Sequence, residues 1–183
     1  MDFYTIFKFL HVLTAVAWVG GGLTLLAASI MASRASDSAA MFGGLDVMNR
    51  LGKAWFVPAS LLTVVFGAIT TTIGGMWGDL WVLLGLVGFA STFLTGLLFL
   101  EPQGRKIGEL IGAGRTEEAM AAGRRLLNIS KFDYTVMLVV VADMVLKPYW
   151  TDFVVIAIFA VVIVAGLVLF LLPALREETT AAA

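Results

Sequence analysis

Five apolar blocks, each near the length that crosses a lipid bilayer, leave this chain few ways to fold. They run from about Tyr4 to Met31, Trp55 to Met76, Leu80 to Leu100, Leu126 to Leu146 and Phe153 to Leu172. About 20 apolar residues rising 1.5 Å each span a hydrocarbon core of roughly 30 Å. Of the 183 residues 60% are hydrophobic and 14% charged, and the mean hydropathy is +0.97. Soluble domains hold about 45–50% apolar and 25% charged residues, and a core of this size cannot hide the excess. The expected fold is all-α, a polytopic membrane bundle with five transmembrane helices in one domain over residues 1–176, followed by a polar tail, 177–183.

Local chemistry sets the expected boundaries. Pro58 suits an opening turn, where its missing N–H costs nothing, and Pro102, Pro148 and Pro173 stand at closing ends. Trp55, Trp77, Trp81, Tyr149 and Trp150 cluster near the ends of spans, as an interfacial aromatic belt requires. The fourth span is the weakest. Between Asp133 and Lys147 lie 13 residues, interrupted by Asp143. That is roughly 20 Å of helix, so this span needs the preceding Arg-Arg-Leu-Leu segment and the shelter of its neighbours.

Charge gives the orientation. Arg34, Arg50, Lys53, Arg105, Lys106, Arg115, Arg124, Arg125, Lys131 and Arg176 fall on one side of a five-span thread, and only Lys8 and Lys147 on the other. The positive-inside rule then puts the N-terminus outside and the C-terminus in the cytoplasm. A cleaved signal peptide is the competing reading of the first block, but its basic leader is nearly absent and its apolar run is too long. The third connection, Glu101 to Lys131, interleaves Ile107, Leu110, Ile111, Met120, Leu126 and Leu127 with basic positions, and Thr116-Glu117-Glu118 reads as a helix start. An interfacial helix resting on the anionic cytoplasmic leaflet is expected there. Small residues at four-residue spacing form three ridges that are expected to face one another: Gly20, Thr24, Ala28; Gly67, Thr71, Gly75; and Gly88, Thr92, Gly96.

Several chemistries are excluded. Without Cys there is no disulfide, thiolate cluster or thiol nucleophile, and one His forbids a multi-histidine metal site within one chain. A net charge of −1 speaks against nucleic acid as a partner. No phosphate loop or hydrolytic triad is visible, so no catalytic residue is assigned. The eight Met residues show no tight Met-x-x-Met cluster for copper and read as apolar filler. His11, a third to half way along the first span, is the sharpest feature. A neutral imidazole at that depth can ligate a haem iron, or it can bond across helices to a Thr or a carbonyl. Lys8, Asp143 and Lys147 form a second group near the outer boundary. Lys8 and Asp143 lie at similar depth, Asp143 and Lys147 are spaced i, i+4, and a polar site or an anchored helix end fits both facts.

The first span with its His and Trp-Val-Gly-Gly, the stretch Trp55 to Gly67, and the stretch Phe132 to Pro148 resemble the copper-resistance-D-like group of bacterial membrane proteins. That group includes an uncharacterised integral membrane family, which this chain resembles most, and the short membrane-bound protoporphyrinogen oxidases. The resemblance covers about residues 5–148, with the fifth span as an addition. In the oxidases the first-span His is a haem ligand, so the resemblance implies that role for His11 and haem b as the cofactor. The oxidases also carry a Lys at the start of the third span and a second His, neither of which is present at Leu80 to Leu84 or Phe93 to Phe99. By that resemblance the chain departs from protoporphyrinogen oxidation.

Three functions fit these residues. One is a redox protein with haem b on His11, its iron five-coordinate, completed by a Met or Lys, or shared across a homodimer. The second is a small transporter using Lys8, Asp143 and Lys147. The third is a non-catalytic subunit of a larger membrane complex, to which the unbroken apolar fifth span points.

Overall fold

The computed structural model describes residues 2–34, 50 and 52–175. Residues 35–49 of the first connection, Arg176 and the tail 177–183 lie outside the described residues. All described elements are helical: α1 (Phe3–Arg34), α2 (Val57–Gly74), α3 (Leu80–Thr95), α4 (Glu101–Gly112), α5 (Thr116–Leu146) and α6 (Phe153–Gly166). Four helical stretches are long and apolar enough to cross a membrane: Phe3–Met31, Ala54–Gly74, Leu80–Gly112 and Phe153–Leu175. The charges on α5 keep it from meeting that description on its own.

Prolines shape these helices differently from the sequence expectation. Pro102 and Pro173 do not close their helices. Each follows a π-helical turn, Gly96–Leu100 and Leu167–Leu171, and Pro58 likewise follows Gly52–Phe56. The N–H just before each of the two later prolines reaches back five residues, Glu101 to the Gly96 carbonyl and Leu172 to that of Leu167. A wider turn moves the carbonyl that the proline ring would strike, so the helix continues. Pro148 does end a helix, because Lys147 before it takes a left-handed conformation (φ 47°). Gly75 (φ 65°) closes α2 with the Met76 N–H on the Thr71 carbonyl at 3.0 Å.

Neighbouring helices run antiparallel, which the order of contacts makes plain. Tyr4, His11 and Gly21 of α1 meet Gly74, Gly67 and Trp55 in turn, the first two on α2 and the last in the π turn ahead of it. Along α3, Gly85 meets Asp143 and Met144 of α5, and Gly88 meets Val140. On the other side of α5, Thr135 and Phe132 pack on Gly166 of α6, and the Lys131 ammonium lies 5.7 Å from the Phe170 ring centre. α5 thus runs between α3 and α6 and also touches α1, with Asp133, Val136, Met137, Val140 and Asp143 forming its buried stripe.

The three small-residue ridges do not face one another. Gly67 serves α1, Gly88 serves α5, and Gly20 and Gly96 have no neighbour within 4 Å of where a Cβ would stand. On α1 it is Gly21 and Gly22 that admit partners, Trp55 and Met137 respectively, while Gly20 and Thr24 line an open groove of about 390 Å³. The third connection is a helical hairpin. α4 continues α3, turns at Gly114 (φ 72°), and packs back on α5, with Arg115 paired to Glu118 in its first turn. Thr116 begins α5 as the sequence indicates. Of the six apolar residues named for the leaflet, Ile107 and Leu110 are buried against Ala119, Ala122 and Leu126, while Met120 is exposed.

The glycine contacts give a paired test. Gly88→Val drives a side chain into Val140 and is expected to cost about 1–3 kcal/mol, the usual range for overpacking. Gly20→Ala, in open space, leaves stability unchanged or slightly raised. Thermal unfolding in detergent, followed by tryptophan fluorescence, checks both; equal effects would refute the packing.

Candidate functional site

His11 lies on the face of α1 that packs on α2. Its Nδ1 is 2.8 Å from the backbone carbonyl oxygen of Thr63. A carbonyl only accepts, so Nδ1 carries a proton, and in the neutral imidazole Nε2 then keeps its lone pair. Thr63 turns its own hydroxyl to the Ala59 carbonyl at 2.8 Å, one turn back, and does not compete for the imidazole. Gly67 makes the close approach feasible. A Cβ there would stand 2.9 Å from both Cε1 and Nδ1 of the ring. The small residue at position 67 therefore belongs to the histidine more than to a glycine ridge.

The imidazole borders a cavity of about 600 Å³ walled by α1, α2, α3 and α5. This is within the usual range for small-molecule and cofactor pockets, about 300–1,000 Å³. Its lining is apolar except for His11, Thr63, Thr71 and the indoles of Trp18, Trp77 and Trp81. Below it an aromatic group fills the bundle: Trp18 meets Phe89 edge to face at 5.5 Å and Phe56 at 6.4 Å, over Met137. α1 and α5 touch at this level, through Gly22 and Met137, and the Tyr134 hydroxyl approaches the Val19 carbonyl at 3.5 Å. Towards the other ends of the two helices, cavity-lining Val12, Val16 and Val145 are 52%, 66% and 74% exposed. The cavity thus opens sideways between α1 and α5, out of the bundle.

The second sequence-derived group does not assemble. Lys8 extends over the ring of Tyr4, 5.5 Å from its centre, and makes no pair with Asp143. Lys147 has left the helix, and its ammonium sits 4.9 Å from the centre of the Trp81 ring, so the i, i+4 pair with Asp143 is not made either. Asp143 is 2% exposed, and neither carboxylate oxygen has a hydrogen-bond partner. It rests against Gly85, one helical turn from the cavity-lining Val140. Asp133, two to three turns back on the same stripe, also buries an unpartnered oxygen. In the sequence Asp133 marks the start of the short stretch up to Lys147 within the fourth span, and its register with Val136, Val140 and Asp143 is the signal that places it inward.

Met144, which the sequence reads as apolar filler, lines the same cavity as His11. Among the described residues no three His, Asp or Glu side chains converge as a metal cluster. No family model matches the chain, and neither a curated protein nor a solved structure matches it.

Gly67→Ala should displace the imidazole and break the bond to Thr63. With ¹⁵N-labelled histidine, solid-state NMR reads the tautomer. The wild-type ring is expected as the Nδ1–H form, and loss of that signature in the variant is the expected outcome; an unchanged ring spectrum would contradict the contact.

Proposed function

We propose that this chain is a five-span protein of the bacterial inner membrane, N-terminus outside and C-terminus cytoplasmic, that binds b-type haem through His11 in a redox role. Three observations support the crossing of α5. It is 31 residues long, it runs antiparallel between α3 and α6, and its outer half packs on Gly85 and Gly88 within the apolar part of α3. A helix held at that depth by two membrane-length neighbours crosses with them, its carboxyls turned from lipid. The hairpin of α4 and the start of α5 then stands on the cytoplasmic side with exposed Arg105, Lys106 and Arg124, on a leaflet rich in anionic lipid.

The observation that carries the haem reading is the fixed imidazole, Nδ1 on a backbone carbonyl and Nε2 free beside a large apolar cavity. A hydrogen-bond acceptor on the other ring nitrogen is the usual arrangement of a metal-bound histidine, because it sets the tautomer and raises ligand basicity. Apolar walls that include Ala15, Val64, Ala68 and Phe89 suit a macrocycle, and Lys147 beside Trp81 is the cation at the rim available to its propionates. Bound there, haem supplies one-electron chemistry. The residues of the chain hold the ring, exclude water and set the axial donor. The aliphatic outer face of α6 and of the π turn after it, with Val154, Val161 and Leu169 exposed, serves lipid, a second copy or a larger membrane assembly.

Protein purified from haem-replete cells should show a stoichiometric Soret band that His11→Ala abolishes or shifts. No band, or one indifferent to the substitution, rejects the haem reading. The chain lacks cysteine, so single introduced cysteines report topology without background. Gly114→Cys is expected to react only with a reagent that enters the cytoplasm, and Thr151→Cys from outside. Labelling of both from one side would rule out the crossing of α5.

A further inference from the structure

The cavity holds a second soft donor besides the imidazole. Among its lining side chains, indoles offer no lone pair in the ring plane, the Thr63 hydroxyl is engaged with Ala59, and Thr71 presents a hard hydroxyl oxygen. The remaining donor with affinity for a haem iron is the thioether of Met144. The other described methionines at helix contacts are committed elsewhere. Met137 is 1% exposed and fills the notch at Gly22, and Met76 packs over Gly74 beyond the end of α2.

His11 and Met144 also come from opposite walls. His11 is fastened to α2 through Thr63 and Gly67, whereas Met144 is fastened to α3 through Gly85, whose missing side chain gives room to the Met144 methyl group. A Cβ at Gly85 would collide with that methyl. An unbranched thioether with three rotatable bonds can turn its sulfur from this notch towards the cavity without moving the backbone. We propose that Met144 is the second axial ligand of the haem, opposite His11, so that one histidine per chain suffices for a six-coordinate iron without a partner subunit. This inference rests on the haem reading and fixes what that reading left open.

The test uses full-length protein purified with its haem. Wild type is expected to be low-spin by magnetic circular dichroism and electron paramagnetic resonance, and slow to bind carbon monoxide when reduced. Met144→Leu, a near-isosteric change, should retain the Soret band, turn high-spin and bind carbon monoxide readily. Met144→His should restore the low-spin signature with a lowered reduction potential, since His/Met ligation raises it. If the leucine variant fails to accumulate, the histidine variant carries the test alone. A Soret band that depends on His11, combined with spectra unchanged in both Met144 variants, overturns the Met144 assignment and leaves haem binding intact. Absence of haem from the wild type overturns both.

Discussion

α5 carries more charge than lipid tolerates, and it can lie among its neighbours only because they cover it. Its stripe from Asp133 to Asp143 faces α1 and α3, which approach it closely at Gly22, Gly85 and Gly88, while α6 packs on its other side at Gly166. In lipid there is little to gain by hiding leucine, so contacts of this kind decide which helices touch. Everything else is arranged around that helix. α3 takes its antiparallel course against one flank, α6 against the other, and α1 meets it at the level of Trp18 and Met137.

Asp143, with both oxygens buried and unpartnered, and Asp133, with one, show where this arrangement is strained. Burying a polar group without a hydrogen bond costs on the order of 1–3 kcal/mol by protein mutational measures. Asp143 pairs with neither of the two lysines that sequence spacing offers it. The reason lies in Pro148. It forces Lys147 out of the helix, and the ammonium that would have followed the helix face turns to the indole of Trp81. A pairing rule written for continuous helices fails at a terminus.

Much of the architecture was legible in the sequence because apolar run length and charge are local properties. The spans near Tyr4, Trp55, Leu80 and Phe153 and the helix start at Thr116 follow from them. What was not legible depends on register between helices. Nothing in the string distinguishes Gly20, which faces a groove, from Gly22, which receives Met137. The role of Gly67 became visible only with His11 against it. Met144 could not be told from the other methionines until α3 and α5 were set side by side. Pro102 and Pro173 read as stops because the remedy, a π turn ahead of each, is a backbone adjustment that leaves no distinctive residue pattern.

The unbroken run from Leu80 to Gly112 gives this bundle a mechanical character. Two walls of the cavity, at Gly85 and at Val140 to Met144, extend without interruption into the two arms of the hairpin that meets at Gly114. The arms are clasped by Ile107, Leu110 and Ala119. The clasped tip is thus joined to two walls of the cavity by helix alone, with no loop between them.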